Sequence, residues 1–538
     1  MDRKFDTVGV MIDMSRNAVM SIEGLGRLLP ILADLGYNAL MLYTEDTYEV
    51  EGEPYFGYMR GRYSVSDMQK IDDMASELGI EVIPCIQTLG HLTQISRWNV
   101  FDMDTDDILM VGSPRTYELI DKMLTTLKKC FRSRRIHIGM DEAHTLGRGR
   151  YLDENGYEKQ SDIMRKHLIR VTKIAENHGY EPMIWSDMFF RGWNGGYYAE
   201  RSEIPEDYRA ALPQSVTPVY WDYYMRDEQR YDDMLYNHRQ LSPNTWFAGG
   251  IWTWLGFAPA NIHSILTMTP AIRMCEKHGV RNLFFTLWGD DGGECSRFAV
   301  LPALYHISRL VAGETDESAI KHGFEEKFGI PYDTFTLLDL PNEVGRQDSP
   351  WAICPAKYMF YSDPLMGFLD NQVEDDGNKI YRDYASRLGA SADRAGEYGY
   401  LFLEMQKLCE ILSHKYELGV KLRSAYKQGD REEISNLLED VDAIIDLIPE
   451  FHELFKHSWE RENRRAGFEV QAHRIGGVLL RMKDVRRILS DYLEGVIDSI
   501  PELEEDILPY CGRPHGRSLY YNDHRCNISA GVVAFGFA

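Results

Sequence analysis

"RIHIGMDE", residues 135–142, is a short, largely apolar run that ends in two adjacent carboxylates, Asp141 and Glu142. Seven further runs share its length and its β-branched or aromatic character. They are TVGVMIDM (7–14), ALMLYTED (39–46), EVIPCIQT (81–88), PMIWSDM (182–188), TPVYWDY (217–223), TWFAGGIW (245–252) and NLFFTLWGD (282–290). Each is bounded by turn residues, the pattern of a buried strand. Between them, apolar residues recur three and four apart at 22–36, 64–79, 117–131, 161–179 and 261–279, the period of an amphipathic helix. Gly36, Gly79 and Gly179 close three of these stretches, where a left-handed cap favours glycine. The connection after the fifth run is less regular.

Eight β-α units within about 310 residues match the number and size of a (β/α)8 TIM barrel, expected here over residues 1–314. An open doubly wound sheet is the alternative, but no G-x-G-x-x-G turn follows any run. From 315 to 538 the rhythm stops. Long helical patterns at 394–429, 431–464 and 476–496 predict a helical C-terminal domain. The tail NISAGVVAFGFA (527–538) is apolar for a chain end and is expected to dock on the barrel or on the second subunit of a homodimer.

Asp plus Glu outnumber Lys plus Arg by 84 to 59, a formal charge of -25. A field of that sign repels phosphate backbones and anionic membrane surfaces, which argues against nucleic acid and membrane as partners. Mean hydropathy is -0.38, and no window reaches the ~18 apolar residues of a membrane helix. The N-terminal MDRKFDTVGVMIDM has no secretory h-region or cleavage site. The eight cysteines stand far apart, with no C-x-x-C pair, as reduced thiols do. These features lead to the expectation of a cytoplasmic protein with neither metal nor cofactor.

In a barrel, chemistry gathers at the C-terminal ends of the strands. Those ends read Asp13-Met14-Ser15-Arg16, Glu45-Asp46, Gln87 to His91, Asp141-Glu142, Trp185-Ser186-Asp187, Trp221-Asp222, Trp252-Thr253-Trp254 and Trp288-Gly289-Asp290. Five of the ten tryptophans stand there. Aromatic faces stack on the apolar C–H faces of pyranose rings, so the pattern points to a glycan.

Alternation along the fourth run turns Ile136, Ile138 and Met140 toward the helices and His137, Gly139 and Asp141 into the barrel. His137 reads as a hydrogen-bonded core histidine, and Glu294 in DDGGE as a cap of the last helix. Two-carboxylate glycoside hydrolysis places its acids across a sugar ring, roughly 5 Å or more apart. Adjacent acids fit instead a reaction in which the substrate's own 2-acetamido oxygen attacks the anomeric carbon. One carboxylate orients the acetamido N–H and the other protonates the leaving oxygen.

These residues resemble a known family. H-x-G-M-D-E at 137–142 is similar to the H-x-G-G-D-E signature of glycoside hydrolase family 20, the exo-β-N-acetylhexosaminidases. IDMSRNAV (12–19) resembles the first-strand motif of that family, which implies that Arg16 grips the 3- and 4-hydroxyls beside Asp13. LGH (89–91) resembles the motif whose histidine supports the acid, here His91. By the same resemblance Trp185, Trp221 and Trp288 wall the acetamido pocket, and Asp290 in LWGDD contacts the 4- and 6-hydroxyls. YTEDTYEVEGEPYFGYMRGRYS (43–64) looks like a short branch of the family without an extra N-terminal β-domain, expected to be absent here too.

The resemblance implies retaining, exo-acting removal of terminal β-linked N-acetylglucosamine or N-acetylgalactosamine through an oxazolinium intermediate. Asp141 and Glu142 form the catalytic pair, with Arg16, His91, Trp185, Trp221, Tyr224, Trp252, Trp288 and Asp290 around the sugar. For the tyrosine that bonds the acetamido oxygen, Tyr223, Tyr224 and Tyr58 are all candidates. Two positions depart from the family pattern: Met140 replaces a glycine, and Gln87 replaces an acid four residues before the histidine. The alternatives are a non-catalytic glycan-binding barrel and a metal-dependent hydrolase using His144 beside the two acids.

Overall fold

The computed structural model describes residues 4–290, 292–345 and 353–509. The apolar tail, Cys511 and Cys526 lie outside the described residues. Eight parallel strands close into a barrel in sequence order, with β1 (Thr7–Asp13) paired to both β2 (Ala39–Tyr43) and β8 (Asn282–Leu287). Between them run β3 (Glu81–Cys85), β4 (Arg135–His137), β5 (Glu181–Trp185), β6 (Thr217–Trp221) and β7 (Trp246–Gly250).

Alternation sorts the core into two layers. Met11, Met41, Ile83, Met183, Val219 and Phe284 fill the barrel interior. Val10, Ile12, Leu40 and Leu42 face the surrounding helices. Local signals set the helix ends. Ser21 caps the helix Ile22–Leu35 by accepting the Gly24 N–H at 2.9 Å, and Gly36 ends it at φ +93°. Ser64 and Asp67 form a capping box on Val65–Glu77, satisfying two otherwise orphaned donors.

Most apolar runs outlast their strands, because the last residues leave the ladder to form the mouth. The largest difference is at β4, which stops at His137 rather than reaching the two acids. Gly139, Met140 and Glu142 follow at φ +74°, +74° and +49°. A left-handed turn therefore aims the acids, in place of the strand alternation expected from the sequence.

The C-terminal region is largely helical. The 394–429 pattern divides into Gly399–Lys415 and Leu418–Gln428, followed by the long helices Arg431–Glu462 and Phe468–Glu494. The connector between those two helices docks beside β1. Met20 and Asn463 form an antiparallel bridge, and the Glu462 carbonyl accepts the Ser21 N–H at 2.8 Å. The Glu462 carboxylate accepts the Arg297 N–H at 3.0 Å and the Ser296 hydroxyl. Among the described residues, no helix is long and apolar enough to cross a membrane.

Candidate active site

The turn after β4 is built around Gln87. Its Oε1 accepts the Met140 N–H at 3.0 Å, and its Nε2 donates to Asp141 Oδ1 at 2.7 Å and to the Tyr43 hydroxyl at 2.9 Å. A Cβ on Gly139 would lie 2.1 Å from Gln87 Oε1, so both the amide's close approach and the positive φ require glycine there. Met140 has no such exemption, and its left-handed backbone costs roughly 1–2 kcal/mol. Its unbranched side chain packs between strands and helices beside Ile136 and Ile138.

Asp141 is 8% exposed. Burial works against its ionised form, but His91, with Oδ2 3.2 Å from Nε2, and the Gln87 amide hold its carboxyl below the usual range. For His91, too, burial opposes the charge. The Asp141 carboxylate outweighs it and raises the imidazole to about 10. His91 Nε2 also stands 3.8 Å from Glu142 Oε2. The histidine thus leans on Asp141 more closely than on Glu142, whose side chain is 41% exposed at the mouth. Gln87 is bonded to Asp141, Tyr43 and Met140 rather than to His91. It gives Asp141 a neutral donor where an acid would give a competing charge.

The remaining expected groups connect outward from this centre. Arg16 Nη1 lies 3.0 Å from Glu45 Oε1, and the Tyr43 hydroxyl donates to that same oxygen at 3.0 Å. A continuous path therefore runs from Arg16 through Glu45, Tyr43 and Gln87 to Asp141. Asp13 braces the mouth by accepting the Gly289 N–H at 2.9 Å and the Ser15 hydroxyl at 2.6 Å. Asp290 is half-buried beyond Trp288, and its charge acts on Arg16.

Trp185 belongs to the barrel-interior cluster, with Trp221 and Trp288 packed against it. Trp288 meets Tyr43 edge-on at 4.7 Å and lies tilted to Trp185 at 6.2 Å. Trp221 stacks on Tyr223 at 5.7 Å. Trp252 lies one layer back, 1% exposed, its indole donating to the Tyr223 carbonyl at 3.1 Å and its ring edge-on to Tyr224 at 5.6 Å. Tyr58 is instead 43% exposed beside Tyr55 and Trp98, in the loop after β2.

His137 contacts Trp185 at 4.2 Å and accepts the Gly139 N–H on Nδ1 at 3.1 Å. Burial drives its pKa down to about 3, so it is a neutral core histidine. Among the described residues, no three His, Cys, Asp or Glu side chains, His144 included, are grouped to hold a metal ion.

Two acids stood among the strand-end residues without a role assigned from the sequence. Glu45 holds Arg16 from a fully buried position at φ +43°. Asp187 accepts the Glu142 N–H at 2.9 Å and thereby anchors the backbone of that acid. Burial, then the charge of Asp141, pushes the Asp187 carboxyl up to about 8. The available signal was an acid at the end of β2 and another just past β5, which carries no motif of its own.

A closed barrel with paired acids at an aromatic mouth suits a glycoside hydrolase. Residues 5–231 match the catalytic-domain model of glycosyl hydrolase family 20, and residues 333–520 match the glycoside hydrolase 20C C-terminal domain. The chain belongs to glycoside hydrolase family 20. It is 26% identical over 230 residues to human hexosaminidase D, covering 39% of this chain and 43% of that protein. Bovine hexosaminidase D is 25% identical over 213 residues, covering 37% and 58%. Both alignments span less than two thirds of those relatives. Among solved structures, the Vibrio harveyi family 20 exo-β-N-acetylglucosaminidase superposes at a TM-score of 0.47, with 15% identity, over 63% of this chain and 59% of that one.

Proposed function

We propose that the protein is an exo-acting β-N-acetylhexosaminidase. On this reading it removes terminal non-reducing N-acetylglucosamine or N-acetylgalactosamine from a glycan, with retention and assistance from the substrate. The observation that carries the proposal is the contrast between the two adjacent acids. Asp141 is buried, and His91 and Gln87 hold it ionised. Glu142 is half-open to the mouth.

In the productive complex Arg16 bonds the outer hydroxyls, and the Trp185, Trp221 and Trp288 rings enclose the acetamido group. Asp141 accepts the acetamido N–H and orients the carbonyl oxygen toward the anomeric carbon. Glu142 gives its proton to the departing glycosidic oxygen as that bond breaks. The anomeric carbon–oxygen bond to the acetamido group forms at the same time, giving a cationic bicyclic oxazolinium next to the Asp141 carboxylate. A fixed charge aimed where positive charge develops stabilises the transition state more than the ground state. Glu142, now ionised, then takes a proton from the water that opens the ring, and two inversions leave the β-configuration.

A chromogenic aryl β-N-acetylglucosaminide, assayed with and without chelator, tests the proposal. Turnover in both conditions is expected. Turnover only without chelator would favour a metal-dependent hydrolase, and binding without turnover a glycan-binding barrel.

A further inference from the structure

Glu294 does not cap a helix: Ser296 does so, accepting the Phe298 N–H at 3.1 Å at the start of the turn Arg297–Val300. The Glu294 side chain is completely buried and faces two cations from the C-terminal helices. Lys357 Nζ lies 2.7 Å from Oε2 and Arg474 Nη1 lies 3.3 Å from Oε1, with side-chain exposures of 1% and 2%. Gln471, one turn before Arg474 on the same helix, donates to the Gly292 carbonyl at 3.0 Å.

The backbones are pressed together along this seam. A Cβ on Gly292, at φ +135°, would lie 2.7 Å from Gln471 Nε2 and 2.8 Å from Arg474 Nη1. Lys357 reaches Glu294 by crossing Gly256 in the loop after β7, where a Cβ would come within 2.9 Å of its Cδ. That loop is tied to the next one, because the Thr253 hydroxyl donates to the Trp288 carbonyl at 2.6 Å. From the opposite side, Asp13 accepts the Gly289 N–H and Gly293 packs on Ala18 and the Arg16 carbonyl. The segment that carries Trp288 and Asp290 is thus clamped between the Arg16 loop and three side chains of the C-terminal region.

Burying one carboxylate with two cations is a poor way to gain stability, since desolvation offsets the attraction and apolar packing serves as well. It is an effective way to fix one geometry. We propose that Glu294, Lys357 and Arg474 are positioning residues that set Trp288 and Asp290 against the sugar ring, making the helical region a working part of the active site. This rests on the hexosaminidase reading, in which Asp290 meets the 4- and 6-hydroxyls.

The test uses the full chain carrying Glu294→Gln, and separately Lys357→Met, which leaves Glu294 paired with Arg474. For each variant and the wild type, kcat and KM are measured on aryl β-N-acetylglucosaminide and β-N-acetylgalactosaminide, with the melting temperature recorded alongside. A loss of about tenfold or more in kcat/KM, mainly through KM, is expected at temperatures where each variant is folded. The preference between the two C4 epimers should shift with it, which a loss of stability alone would not produce. Should Glu294→Gln not fold, Lys357→Met decides. Variants with kinetic constants and epimer preference within about twofold of an active wild type overturn the inference, whatever their melting temperatures. A wild type inactive on both glycosides overturns the hexosaminidase reading first, and the inference with it.

Discussion

Replacing Asp141 with Asn removes a charge while keeping the shape of the side chain. The new amide oxygen can still accept from Gln87 Nε2, which donates to Oδ1 at 2.7 Å, and the new amide nitrogen then faces His91 in place of Oδ2. The pocket therefore persists, but the negative charge beside the forming oxazolinium does not. Two unit charges about 4 Å apart at an effective dielectric of about 20 interact by about 4 kcal/mol. Lost in the transition state, that is about 10³-fold in kcat. The assay is steady-state hydrolysis of an aryl β-N-acetylglucosaminide, with circular dichroism to establish that the variant is folded. His91 supplies a second readout, because the charge that holds its imidazole at about 10 is gone and the pKa should fall. A folded Asp141→Asn variant that keeps more than about a tenth of wild-type kcat would refute the electrostatic role assigned to Asp141.

Glu142→Gln should cost roughly 10²-fold or more on poor leaving groups and much less on nitrophenyl glycosides, which need little protonation; equal losses on both would remove Glu142 as the acid. Arg16→Ala should lower kcat/KM by several kcal/mol through lost charge-assisted bonds. It also leaves buried Glu45 without its 3.0 Å partner, so refolding has to be checked by calorimetry, and release of internal disaccharides by the wild type would contradict the exo assignment. His91 is expected to remain doubly protonated at pH 8 in ¹⁵N NMR of the imidazole, since its folded pKa is raised to about 10. Its stability contribution is then complete below about pH 6.5 and declines as pH rises toward 10, because the unfolded state releases its proton first. A ring titrating near 6.5 would show that the Asp141 pair is broken in solution.

The barrel was legible because its signal is repetitive: short apolar runs alternate with helical periods, and glycines such as Gly36 mark the turns between them. The acids were legible as a pair but their presentation was not. Alternation carries the backbone correctly only to His137, where β4 ends. The positive φ of Gly139 could be suspected from the residue type, whereas Met140 and Glu142 adopt it without any local sequence signature. Gln87 read as a missing acid because its partner is set by how loops meet, and the structure makes it the donor that joins Tyr43 to Asp141. The partners of Asp187 and Glu294, the second of which read as a helix cap, were hidden for the same reason. Each acts through a group distant in sequence, the Glu142 amide in one case and Lys357 with Arg474 in the other. Helical periodicity identified Arg431–Glu462 as a helix, but nothing in its period announces that Glu462 would bind the backbone beside β1.

The defining step of the proposed reaction is attack by the substrate's own acetamido oxygen. The direct measurement is kcat/KM for matched aryl β-glycosides of N-acetylglucosamine and glucose, with the anomer of the first-formed product read by early-time NMR. The glucoside, which offers no acetamido oxygen, should be slower by about 10³-fold or more, and the N-acetylglucosamine first released should be the β-anomer. Comparable rates on the two glycosides, or an α-anomer released first, would contradict that step.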